Sequence, residues 1–303
     1  MSYACEKPDK YGILVDKVEH KAGMYMRKDG RRVTDADPIY SIIPYILKYR
    51  YDSMNMIEID IPIAPMQTYL NEKRKQGHRF SHLGLVLAAY LRTAAEYPLL
   101  NRFIVNKKIY QRNEFSVGMV VLKPGSLDET MSKMYFQMED DIFSVHETMD
   151  RYISENRGTG ETNATDDLMK KLLKVPGLLN VAAGVLKWMD LHGLLPQSLI
   201  KASPFHTSMV ISNLASIRTN HIFHHVYEFG TTSILVTLGN MREVPIRKGE
   251  EILFERCLPM GIVMDERIGS GAYFAAVFHR FKQYLNNPTL LEGPPKVVNT
   301  KFE

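Results

Sequence analysis

The chain has 303 residues, 45% hydrophobic and 24% charged, with a formal net charge of +4. That is ordinary for a globular protein able to bury a sizeable core without disulfides or a structural metal. The two cysteines, Cys5 and Cys257, argue against a disulfide framework and fit a reducing cytoplasm, and the scattered positive charge argues against a nucleic-acid partner.

Residues 1–36 are polar and read as an irregular arm with one short strand. Glu6, Lys7, Asp9 and Lys10 interrupt the start, so no secretory leader is expected there. An apolar, aromatic helix is predicted over 38–49, and a β-branched alternating strand over 56–63. A helix follows over 65–76, with Lys73, Arg74 and Lys75 in its last turn and Gly77 just after it. Ser81 is placed to cap a strong helix over 83–97, which Pro98 ends. Strands are expected at 103–105, 109–110 and 115–122. Met131, Met134, Met138, Ile142, Val145, Met149 and Ile153 recur near helical spacing and predict one long helix over 128–156. A loop over 157–162 and one or two helices over 166–192 come next. The greasiest stretch, 175–195, is broken by Pro176, Lys187, Asp190 and His192 and is too polar to span a membrane. Strands are predicted at 208–214, 226–229, 233–238, 252–257 and 258–265, then a helix over 272–286 that Pro288 stops. Interleaved helices and runs of strands predict an α/β sandwich, a mixed sheet with helices on one side.

One segment carries a chemical pattern. Asp265-Glu266-Arg267-Ile268-Gly269-Ser270-Gly271 leads from a strand into the last helix. It resembles the Asp-His-Arg-x-x-Asp-Gly turn of the catalytic domain of the 2-oxo acid dehydrogenase acyltransferases (dihydrolipoamide acyltransferases), in the chloramphenicol acetyltransferase-like superfamily. Other segments resemble that domain in the same order: Ser81 to Tyr90 followed by Tyr97-Pro98-Leu99-Leu100-Asn101, then Met209-Val210-Ile211-Ser212-Asn213-Leu214, then Gly230 to Gly239. The resemblance spans 37–291, leaving 1–36 as the arm and 292–303 as a tail.

In that family the histidine removes a proton from the thiol of coenzyme A or dihydrolipoamide, which needs a base that works near neutrality. A hydroxyl near the Ser-Asn-Leu strand stabilises the oxyanion. Here Glu266 stands at the histidine position and Ser270 at the second aspartate. The candidate catalytic residues are Glu266, Ser212, Asn213 and Ser270, and the candidate substrate-binding residues are Asp265, Arg267 and Gly271. A desolvated Glu266 would serve as the base; paired with Arg267 or another arginine, it would not. Two functions therefore stay open: acyl transfer involving coenzyme A or acyl-coenzyme A, or an inactive trimeric scaffold or ligand-binding subunit. The resemblance also implies a homotrimer or larger cage with the site between subunits. The short arm is not expected to hold both a lipoyl and a subunit-binding domain, and it shows neither pattern. A lipoyl carrier or dehydrogenase subunit would be a separate chain, with no covalent lipoyl on this one.

The remaining histidines read as structural. His279 is expected half-buried on the last helix, and His146 is expected to stack with Asp150 one turn on. His224 and His225, in a predicted strand, would point to opposite faces. His206 and His221 flank the Ser212 strand. No metal-ligand spacing is recognised: His221 and His225 lack the accompanying glutamate and the helix.

Overall fold

The computed structural model describes residues 27–122, 129–157 and 177–299, so 158–162 of the expected loop and 166–176 of the expected helical segment 166–192 lie outside the described residues. A small sheet is formed by β1 (Gly30–Arg32), β4 (Lys108–Arg112) and β3 (Arg102–Val105), in that order. The main sheet runs β2 (Met54–Pro62), β10 (Glu251–Asp265), β8 (Ile234–Leu238), β7 (Met209–Asn213), β5 (Phe115–Leu122) and β6 (Glu129–Phe136). It is mixed: β5–β7 and β7–β8 are parallel, whereas β8–β10, β10–β2 and β5–β6 are antiparallel. The seventh strand, β9 (Arg242–Lys248), pairs only with the first half of β10. The expected sandwich is the one observed.

The helix layer holds α2 (Ile63–Lys75), α3 (His82–Glu96), α4 (Ile142–Arg157) and α7 (Gly271–Asn286). Strand period 2 sorts the side chains. Ile59 and Ile61, Val117 and Met119, Met209 and Ile211, Val236 and Leu238, and Met260 and Ile262 face these helices in one core with Leu85, Leu87, Met149 and Phe281. Val210, Leu235 and Val263 point the other way, under Val226. α3 is buried along almost its whole length. The Ser81 hydroxyl caps it by accepting from the Gly84 N–H at 3.0 Å, and it ends at Glu96, ahead of Pro98. α1 (Pro38–Ile46) starts from an Asp37 cap and lies mostly exposed.

Four expectations need correction. Residues 129–136 are strand β6, paired with β5 throughout, and only Ile142–Arg157 is helical. Met131, Met134 and Met138 fit a helical period by accident; the buried alternation of Thr130, Met134 and Phe136 belongs to a strand. Residues 226–229 form no strand but an irregular cover over the second sheet face. The strands expected at 252–257 and 258–265 are one 15-residue strand, whose first half needed the unforeseen partner β9. His279 is exposed, bonded to Gln283.

Candidate active site

The turn after β10 is built around a buried ion pair. Asp265, 0% exposed, accepts from Arg267 Nε at 2.8 Å and Nη2 at 2.7 Å, and from the Arg267 backbone N–H at 3.1 Å. Arg267 Nη1 donates on to the Leu47 carbonyl at 3.2 Å, tying the turn to the end of α1. Arg50 Nε stands 3.7 Å from the second Asp265 oxygen, and the same guanidinium donates to the carbonyls of Tyr227 and Gly230. Burial pulls Arg50 below its usual range, and Asp265 opposes that. Asp265 and Arg267 thus satisfy one another and the backbone, as buried charges must.

This pairing leaves Glu266 without its neighbouring arginine. Among the described residues Glu266 is half-buried and accepts one hydrogen bond, from Asn55 Nδ2 at 2.8 Å. Asn55 carries no local sequence signal; the antiparallel register that sets it opposite Met264 brings it there. Ser270 caps α7, its hydroxyl accepting from the Tyr273 N–H at 3.0 Å. Gly271 opens that helix with open space where a Cβ would stand.

Ser212 and Asn213 sit at the end of β7, both half-buried. Ser212 shares the Val210 face and Asn213 the Ile211 face. Register places Ser212 in a row with Thr237, Gly261 and Glu58. Glu266 lies five residues beyond Gly261 along β10. The two candidates are therefore about 17 Å apart along the strands and about 10 Å across them. One copy of the chain does not bring Ser212 and Glu266 together.

His221 lies over this row: a Cβ on Gly261 would stand 3.0 Å from its ring, and its Nε2 is 3.6 Å from Glu58. His224 and His225 are in irregular chain with stacked rings 4.8 Å apart, so the opposite-faces expectation fails with the strand. His146 Nε2 meets Asp150 at 3.4 Å on α4, as its spacing predicts. Among the described residues no group of three or more His, Cys, Asp or Glu is placed to hold a metal ion, and no helix is long and apolar enough to cross a membrane.

The sequence offers little warning of a second polar cluster. Arg27 bonds Asp29 at 2.8 Å and Asp190 at 2.6 Å; Asp190 also faces His206 at 3.3 Å. Arg112 donates to Thr231 at 2.7 Å, and Lys133 to the His206 carbonyl at 2.9 Å. Burial first, then the charge of Arg112, lowers the Lys133 amine to about 7. The one advance signal is Asp190, a lone carboxylate in the apolar helix α5 (Leu178–Leu191).

Comparison with known proteins meets the sequence resemblance. Residues 199–292 match the family model described as 2-oxoacid dehydrogenases acyltransferase (catalytic domain). No curated protein sequence matches the chain. Among solved structures, the cubic core of the pyruvate dehydrogenase multienzyme complex is similar at a TM-score of 0.55 and 12% identity, over 86% of this chain and 94% of that one. A probable dihydrolipoamide acetyltransferase from Listeria monocytogenes 4b F2365 is similar at 0.53 and 10%, over 86% and 96%. A chloramphenicol acetyltransferase is similar at 0.53 and 11%, over 84% and 99%. The fold is the chloramphenicol-acetyltransferase-like sandwich.

Proposed function

We propose that this chain is an acyltransferase of the 2-oxo acid dehydrogenase type, which exchanges an acyl group between coenzyme A and a thiol, hydroxyl or amine acceptor. In this reading Glu266 is the base that accepts the thiol or acceptor proton. Ser212, with Asn213 beside it, donates to the oxyanion that forms as the thioester carbonyl is attacked. Asp265, Arg267 and Gly271 hold the turn that presents Glu266, and Ser270 anchors α7 behind it. The observation that carries the reading is that Arg267 is spent on Asp265, so that Glu266 keeps a carboxylate free of any arginine among the described residues.

The separation of Ser212 from Glu266 supports a site shared between copies, with the Glu266 turn of one protomer meeting the Ser212 strand of the next. A homotrimer, or a cage built from trimers, provides that arrangement; a separate lipoyl carrier or dehydrogenase subunit would supply the acyl group. The organisation proposed is a domain over 37–291 with an arm before it and a tail after it, acting in the cytoplasm. The second reading, an inactive trimeric scaffold or ligand-binding subunit, is favoured by Ser270, whose hydroxyl is used as a helix cap at the place of a second acidic group.

Acetyl-coenzyme A binding and thiol release, measured for wild type, Glu266→Gln and Glu266→His, separate the two. Turnover that Glu266→Gln abolishes supports the altered base. Binding without turnover, with activity gained only by Glu266→His, establishes a fold that has given up its chemistry. Failure to bind at all sinks the acyltransferase reading.

A further inference from the structure

The polar cluster away from the Glu266 turn contains a nucleophile, a base and a carboxylate in sequence. Ser203 follows α6 (Gln197–Ala202) directly and is half-buried. Its hydroxyl lies 2.8 Å from His206 Nδ1 and also accepts from the Phe205 N–H at 3.3 Å. The His206 ring is fully buried, edge-on to Phe229, and its Nε2 is 3.3 Å from Asp190 Oδ1. Nε2 makes no hydrogen bond among the described residues, but the Asp190 charge 3.3 Å away favours the ring hydrogen on that side, which leaves the Nδ1 lone pair facing the Ser203 O–H. Arg27 Nη2 donates to the same Asp190 oxygen, Oδ1, at 2.6 Å and holds the carboxylate in place.

We propose that Ser203 is an acyl-accepting nucleophile, with His206 as its base and Asp190 as the residue that positions the imidazole, taking acyl groups from thioesters or activated esters. In the step, Ser203 Oγ attacks the acyl carbon and the O–C bond forms as the C–S or C–O bond breaks. The hydroxyl proton passes to His206 Nδ1 and then to the departing thiolate or alkoxide, leaving acyl-Ser203 and free thiol or alcohol. The charged groups around His206 are Asp190 from α5, Arg27 and Asp29 before β1, Arg112 from β4, and Lys133 from β6 on its carbonyl. Burial lowers the imidazole and Asp190 opposes it, so the ring is neutral at pH 7 and able to accept a proton.

The test does not depend on Glu266 or on coenzyme A. The full chain is incubated with p-nitrophenyl acetate and mapped by peptide mass spectrometry. Acetylation is expected at Ser203 well above that at Ser198, an exposed serine on α6. Ser203→Ala should remove it, and His206→Gln should slow it about 100-fold or more. The wild-type rate should rise with pH to a plateau, with its midpoint below the ordinary imidazole value. Labelling of Ser203 no greater than of Ser198, a flat wild-type profile between pH 5 and 8, or a folded His206→Gln variant within about twofold of wild type would each overturn the proposal. The first two readouts use only wild type and stand if His206→Gln fails to fold.

Discussion

Replacing Arg267 by Met tests whether the turn that presents Glu266 rests on the buried ion pair. The change removes the two side-chain donors at 2.7 and 2.8 Å from Asp265, which is 0% exposed, and orphans the Leu47 carbonyl. Breaking a buried pair costs roughly 3–5 kcal/mol because the remaining charge is left without compensation. Asp265 keeps the Arg267 backbone N–H and the Arg50 guanidinium at 3.7 Å, which moves the expectation to the lower part of that range. The lost carbonyl hydrogen bond adds about 1 kcal/mol. Arg267→Met should therefore destabilise the fold by about 4 kcal/mol, read from the midpoint and slope of urea unfolding. Asp265→Asn combined with Arg267→Met should be less damaging than the two singles added together, by about 1–3 kcal/mol, because the two share one interaction. A loss under about 1 kcal/mol for Arg267→Met, or strict additivity in the cycle, would refute the argument.

Gly230 has φ +92°, and a Cβ there would stand 2.2 Å from the Phe205 carbonyl oxygen, so Gly230→Ala should cost about 3 kcal/mol or more in the same assay. Leu87, 0% exposed in the centre of α3, should lose about 2–5 kcal/mol on truncation to Ala, and a smaller loss would mean the helix layer collapses around the gap. Asp190 gives an acid-side prediction. Burial raises its carboxyl, but His206 at 3.3 Å and the charge and hydrogen bond of Arg27 outweigh that and hold it at about 2. Its folded value lies below its unfolded one, so its contribution of about 2 kcal/mol is complete above the unfolded value and lost as pH falls through about 2. Stability curves measured from pH 5 to 2 should be flatter for Asp190→Asn than for wild type, and parallel curves would contradict this.

Where structure is decided locally, the chain could be read directly. Ser81 and Pro98 bracket α3, Pro288 follows α7, and alternation over 56–63 marks most of β2, because caps, ring constraints and period-2 burial act within a few residues. The turn from Asp265 to Gly271 was legible too, as was the ordered series of segments that resembles the acyltransferase sandwich. β6 was not legible. Its methionines suit either period, and the choice was made by β5, which lacked a partner on that side and supplied one register of eight pairs.

The site shows the same boundary. Sequence alone set Glu266 and Ser212 as the residues to examine, and left Glu266 between two fates. The fold pairs Asp265 with Arg267 and turns Glu266 toward Asn55, a residue 211 positions away. It also put Ser212 and Glu266 at opposite edges of the sheet along the strand direction, since each lies at the C-terminal end of its strand and β10 runs antiparallel to β8 and β7. The Ser203–His206–Asp190 cluster, with Arg27 arriving from 163 residues before Asp190, exists only because buried charges far apart in the chain must find one another once water is excluded.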